Sequence, residues 1–337
     1  MKIDTQLTGF ETAAADARRL EGQGLDGAFT FEGPHDVFTP LILAATATSG
    51  LELISNVAIA FPRNAVQLAH QAYDLQLLSQ GRFTLGLGTQ VRAQIEKRYG
   101  AEFERPIARM REKVAALRAI FSSWETGERL QFRGQFSSHT LMPPTFNPGP
   151  NPYGPPAIAI GGLGPQMVRL AAEVADGLLV MPFNTGAHFR ERTLPAVEQG
   201  LARGGRDRGA LEVTAEVIVA GGRDETEMAT ARAGARFLLA FYASTPAYRP
   251  VLEVEGWQDV QPELNALSKA GRWTDMPTLI DDTMLSTLAV VGSPAEVGAQ
   301  VADRFGGLVD RVAFYTPYRV SPELVGEIAA ALKSATA

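Results

Sequence analysis

Short apolar blocks alternate along this chain with longer stretches in which apolar residues return at the three-to-four spacing of a helix face. Residues 2–7 and 26–31 read as strands on either side of an amphipathic helix at 11–21, which stops where Gly22 and Gly24 permit a left-handed backbone. The alternation continues with a helix at 39–49, a long apolar strand at 51–59, a helix at 64–78 and a strand at 82–87. A long helix follows at 106–124, with Pro106 in its first turn. Residues 130–136, centred on Arg133-Gly134, read as a hairpin, and 143–156 is rich in Pro, Gly and Asn. Then come strand 156–160, helix 166–175, strand 177–181, helix 186–203, strand 212–220 and helix 225–242; strand 311–315 and helix 322–333 close the series.

About eight strand–helix units, with strands apolar on both faces, require a sheet enclosed by helices. The pattern predicts an α/β chain folded as a (β/α)8 barrel, one domain over 1–337, with a doubly wound open sheet as the competing arrangement. Two segments break the rhythm, about 125–155 and 244–284. The second carries Pro246, Pro250, Trp257, Pro262 and Trp273 just before the last strand, and is long enough to form a lid or an interface.

Composition narrows the function. The 337 residues are 45% hydrophobic and 20% charged, enough for a large core. A formal charge of -6 argues against a phosphate-tracking surface, so nucleic acid is not an expected partner. The absence of cysteine removes disulfides, thiolate nucleophiles and Cys-ligated metals. No uninterrupted apolar run reaches membrane-spanning length, and no basic leader with an apolar core opens the chain; a cytoplasmic protein is expected.

Three segments at predicted strand ends carry candidate chemistry. Leu85-Gly86-Leu87-Gly88-Thr89 ends an apolar strand in bare backbone amides and a hydroxyl, where the loops of parallel α/β folds bind ligands; a plain strand-to-helix turn is the alternative. Gly161-Gly162-Leu163-Gly164-Pro165-Gln166-Met167 lies between a strand and a helix, so its amides and the helix dipole converge on an anion site suited to phosphate. Glu32-Gly33-Pro34-His35-Asp36 sets a histidine beside two carboxylates; Glu32 or His35 could move a proton, or Asp36 could simply cap a helix beside a surface His35. Metal-ligand spacing and nucleophile motifs are missing, which leaves the chemistry to a bound organic cofactor.

These residues, taken in order, resemble the bacterial-luciferase-like superfamily, and within it the branch that uses the deazaflavin coenzyme F420. Ser55-Asn56-Val57-Ala58 stands where that family has a non-prolyl cis peptide against which the cofactor ring bends, implying a cis Asn56–Val57 bond and ring contacts from Asn56, Val57 and Ala58. Arg82 to Gln90 is similar to its fourth-strand signature Arg-x-x-Leu-Gly-x-Gly-Thr-Gly, with Gln90 in place of the last Gly, implying that Gly88, Thr89 and Gln90 line the cofactor chain. Gly161, Gly162, Gln166 and Met167, followed by Ala175-Asp176-Gly177, match the pair of segments that hold its phosphate. The resemblance implies hydride transfer between the deazaflavin and a small organic substrate, with Glu32 or His35 as proton donor, and a homodimer through helices near Leu41–Ala47. An FMN-dependent monooxygenase of the same superfamily is the rival, and a binding barrel without turnover a third possibility. Arg63, Arg92, Lys97 and Arg98 favour F420, whose polyglutamate tail needs cations. Glu32-Gly33 and Val91 replace the Asp-His and Glu of the F420-dependent sugar-phosphate dehydrogenases, so sugar-phosphate oxidation is not expected.

Overall fold

The computed structural model describes residues 1–336. Eight parallel strands form its centre: β1 (Lys2–Gln6), β2 (Gly27–Thr30), β3 (Glu52–Ser55), β4 (Phe83–Gly88), β5 (Ala157–Gly162), β6 (Gly177–Val180), β7 (Glu212–Gly221) and β8 (Arg311–Tyr315). Each pairs with its sequence neighbour, and β8 returns to pair with β1 through Lys2↔Arg311 and Ile3↔Val312, so the sheet closes on itself. This is the predicted (β/α)8 barrel, and closure rules out the open sheet.

Alternation within the strands sorts side chains between two cores. Ile3, Leu53, Leu85, Ile158, Leu178, Val217 and Val312 point outward and pack beneath the surrounding helices. Phe29, Ile54, Ala159, Leu179 and Ala313 point inward and fill the barrel. The helices begin where side chains or proline supply the start: Asn64 accepts from Val66 N at 2.8 Å, Asp224 from Glu227 N at 2.9 Å, and Ser293 with Glu296 forms a reciprocal cap. Arg82, read above as part of a cofactor signature, caps instead the carboxyl end of helix Thr39–Ala47, donating to the carbonyls of Ala45, Thr48 and Leu51.

Three readings change. The apolar run 51–59 is two strands, β3 and a two-residue piece Ala58–Ile59 that pairs with Leu87–Gly88. The hairpin is Phe132–Arg133 against Ser138–His139, shifted toward the carboxyl side because the Glu112 carboxylate gathers the Gln135, Phe136 and Ser137 amides of its turn. The segment 244–284 is mostly helical, including Arg249–Val254 and Val260–Lys269, and carries a second apolar cluster with Phe183, Ile218, Leu239, Leu252, Leu264 and Met284. Phe183 and Ile218 lie at the carboxyl ends of β6 and β7, so this insertion packs over the barrel mouth. No helix among the described residues is long and apolar enough to cross a membrane.

The opposite end of the barrel is closed by charge. Arg311, buried, pairs with Asp4, Glu52 and Glu212, while Lys2 reaches Glu52 at 2.6 Å and Glu212 at 3.9 Å. Two cations face three carboxylates. Asp4 lies furthest from water and one of its oxygens has no partner, and burial pushes its carboxyl up to about 7 against the pull of Arg311. Because that folded-state value exceeds the unfolded one, Asp4 contributes most to stability at low pH, and the contribution is lost as pH rises from about 4 through about 7. Replacing Arg311 by Met strands the buried carboxylates and should cost roughly 3–5 kcal/mol in urea unfolding at pH 8. The loss should shrink at pH 5; an equal loss at both pH values would contradict the assignment of the excess proton to Asp4.

Candidate functional site

The mouth of the barrel is organised around a break in β3. Ser55 ends the strand with its hydroxyl tied to Gly86, donating to the carbonyl at 3.0 Å and accepting from the amide at 2.9 Å. The Asn56–Val57 peptide bond that follows is cis. The chain then leans across β4 and β5, and only glycine leaves room for it. A Cβ at Gly86 would fall on the Ser55 carbonyl oxygen, one at Gly88 would overlap Val57 Cγ2, and one at Gly161 would stand 2.9 Å from Val57 Cγ1. The glycines read as bare amides for a ligand thus first make the socket that seats Val57, which packs against the inner cluster of Phe29, Ile54 and Leu179.

Across the mouth from this break stands Glu216 of β7. Its register partner on β8, Ala313, faces the inner cluster, so Glu216 projects into the barrel, where the Asn56 side chain at the end of β3 favours its ionised form. Glu216 keeps partial access to solvent, but its carboxyl is enclosed by the barrel wall, and desolvation pushes it up to about 8, outweighing the lowering effect of Asn56. Tyr315, at the end of β8, lies beside it with its ring 5.9 Å from Phe31. Tyr242 lies beside Tyr315, and Tyr242, Tyr248 and Phe183 form an aromatic cluster with centroids 5.9–6.2 Å apart. Burial raises Tyr242 well above its ordinary value and Tyr248 and Tyr315 to about 12. All three hydroxyls therefore keep their protons near neutral pH.

On the β5 side, Gly161 and Gly162 lead through Leu163 into helix Pro165–Val174, whose amino end is capped by Gly164 without any side-chain bond. Gln166 is exposed in the first turn, Met167 packs over Gly162, and Met167 N and Val168 N turn back to Gly164 O at 3.1 Å each. A Cβ on Gly164 would meet nothing within 4 Å, so the approach to this turn is open. Asp176, matched above to the same phosphate site, belongs to the other end of the barrel: it sits just before β6, accepting from Ile158 N at 2.8 Å and from Arg118 at 2.9 Å. Thr89 and Gln90 are at the mouth, half-buried; Gln90 takes a left-handed φ of 56° and its amide oxygen accepts from Val91 N at 3.0 Å. That backbone conformation accounts for the glycine the family signature carries there.

Glu32 and His35 are placed differently from each other. Glu32 is an anchoring acceptor: it takes hydrogen bonds from Ile59 N at 2.9 Å, Arg63 at 2.6 Å and the Tyr99 hydroxyl at 2.9 Å, holding the chain beyond the β3 break. His35 is exposed and stacked on Phe10 at 4.6 Å, while Asp36 caps the next helix through Phe38 N and Thr39 N. Arg63 is committed to a half-buried pair with Glu32, whereas Arg92, Lys97 and Arg98 are exposed on and beside helix Arg92–Lys97, near Gly33 at the rim, Arg92 in a solvated pair with Glu96 at 2.6 Å.

Sequence reasoning missed Glu216, Tyr242 and Tyr315. A usable signal was present: Glu216 is an acid inside the apolar run Val213–Ala220, at the parity of Glu212 and Thr214 rather than of the outward-facing valines. Two surface grooves lie elsewhere, one of about 700 Å³ beside Phe237 and Asp282, the other of about 130 Å³ near Tyr318. Neither reaches the mouth.

A closed parallel barrel with a glycine-built socket and a recessed acid at its carboxyl end places this chain among the (β/α)8 proteins, whose ligand sites lie at that end. The profile of the luciferase-like monooxygenase family matches residues 3–311. An uncharacterized protein of Mycobacterium tuberculosis is 48% identical over 313 residues, covering 93% of this chain and 92% of that protein. The 5,10-methylenetetrahydromethanopterin reductase of Archaeoglobus fulgidus is 27% identical over 87% of this chain and 86% of its own. Among solved structures, the coenzyme F420-dependent tetrahydromethanopterin reductase of Methanopyrus kandleri superposes with a TM-score of 0.83, covering 99% of this chain and 98% of that one at 18% identity, a likeness of fold. The chain belongs to the luciferase-like monooxygenase family, which contains both F420-dependent oxidoreductases and monooxygenases.

The socket makes a direct prediction. Gly88→Ala should destabilise the protein by roughly 1–3 kcal/mol through overpacking against Val57. Adding Val57→Ala should recover most of that loss in a double-mutant cycle of denaturant midpoints, and strictly additive losses would show that the two residues do not share the space.

Proposed function

We propose that this protein is a coenzyme F420-dependent oxidoreductase. The observation that carries the reading is the mouth itself: a flat apolar shelf at Val57 between the glycines of β4 and β5, an uncapped helix amino end at Gly164 with open approach, and a solvent-facing group of cations at Arg92, Lys97 and Arg98. The residues present suit such a cofactor. Val57, with Asn56 and Ala58, would support its ring, Gly161, Gly162, Gln166 and Met167 its phosphate, Gly88, Thr89 and Gln90 its connecting chain, and the rim cations its acidic tail. When bound, the deazaflavin supplies a two-electron hydride donor or acceptor.

The chain's own contribution is positioning and exclusion. Glu32 fixes the segment after the β3 break, and the insertion with Phe183, Tyr242 and Tyr248 shields the mouth on its β6 and β7 side, where a small uncharged organic substrate would enter. Relatives named as F420-dependent support the choice of cofactor, as does the tail-sized group of cations, which FMN does not require.

Absorbance titration of the cofactor-free protein with F420 and with FMN tests the reading. F420 should bind at least tenfold more tightly, and reversing Arg92 and Lys97 to Glu should weaken F420 with long tails more than F420 truncated to one glutamate. Tight FMN binding with no F420 binding would assign the barrel to flavin monooxygenases, and F420 binding without reduction or oxidation of any enone, aldehyde, imine or alcohol would leave it a carrier.

A further inference from the structure

The acid that faces the cofactor shelf is neither of those suggested by the sequence. Glu216 stands in register with Ala313, which faces the inner cluster that Val57 and Tyr315 also pack against, so its carboxyl points into the barrel toward the Asn56 side of the mouth. The titratable groups that feel it are neutral: Tyr315 from β8 and Tyr242 from helix Glu225–Ala243 keep their protons, and Asn56 carries no charge. Among the described residues no cation offsets the burial of the carboxyl. Burial raises it to about 8, so at neutral pH it carries a proton it can give away. The surrounding wall of Phe31, Phe183, Tyr242, Tyr248 and Tyr315 is aromatic and uncharged, which disfavours an anionic substrate beside an acid that would then be harder still to ionise.

We propose that Glu216 is the proton donor of this site, with Asn56 and the Tyr315–Tyr242 pair as positioning residues, and that its substrate is an uncharged conjugated carbonyl compound, an enone or quinone. The inference rests on the F420 reading for its electrons. The acceptor gains a hydride at carbon from the reduced deazaflavin and a proton at oxygen from Glu216; the carbon–oxygen or conjugated double bond is reduced, the carrier is oxidised, and the carboxylate regains its proton from solvent.

Two measurements test it, one without any cofactor. Infrared difference spectra of the cofactor-free protein between pH 6 and pH 10 should show, beside the signal of Asp4 that remains in every variant, a protonated-carboxyl C=O band that is lost with a midpoint above pH 7, is removed by Glu216→Gln and shifts in Tyr315→Phe. With reduced F420 and a cyclic enone, Glu216→Gln should lower kcat about 10²-fold or more while the dissociation constant for F420 changes less than threefold. Tyr315→Phe should move the upper limb of the kcat–pH profile with little effect on KM. A missing band, or a Glu216→Gln variant that keeps kcat within threefold, overturns the assignment. If the band is present but the protein binds only FMN, the protonated acid stands and the F420 reading alone fails.

Discussion

The close approach of the β3 exit to the ends of β4 and β5 is the constraint on which the mouth depends. A polypeptide can lie that near two neighbouring strands only where they carry hydrogen in place of Cβ, and Gly86, Gly88 and Gly161 provide it. Val57 then fills the vacated space, Asn56 is turned toward the barrel axis, and the axis is where Glu216 waits on the opposite wall. A methyl group at any of the three positions pushes on the shelf, on the Ser55–Gly86 bridge or on both. One steric fact thus links strand pairing, the seating of Val57 and the orientation of the Asn56 side chain.

The two ends of the barrel divide stability from function by their electrostatics. At the amino end, excess carboxylate is gathered around buried Arg311 and Lys2, which pins β1, β3, β7 and β8 together. At the carboxyl end Glu216 lacks any such counter-charge, and the same burial that is offset below is left to act on its proton above. Two acids on β7, Glu212 and Glu216, lie four residues apart on one face and do opposite jobs because only one of them has an arginine.

Much of the barrel was legible because its signals are local. Apolar blocks gave seven of the eight strands to within a residue or two, and Gly161–Met167 announced a strand-to-helix turn by glycine content alone. The break at Asn56–Val57 was visible only through family resemblance, since Leu51–Ile59 is apolar throughout and reads as one strand. Glu32 was correctly placed near the mouth, but its role as a threefold acceptor depends on Ile59, Arg63 and Tyr99, none of which local pattern could join to it. Glu216 was missed for the same reason: its meaning comes from Asn56, Tyr242 and Tyr315, brought together only when the sheet closes. Asp176 shows the converse, a motif residue whose neighbours in sequence suggest the mouth while its hydrogen bonds lie at the other end.

A crystal structure of the protein soaked with oxidised F420 bears most directly on whether the socket and the acid serve one bound ring. The ring should lie on Val57 with its phosphate at the Gly162–Met167 turn, and the Glu216 carboxyl should face the open side of the ring across a gap wide enough for a small substrate. Density for F420 outside the barrel mouth, or a ring whose substrate face is turned away from Glu216, would contradict it.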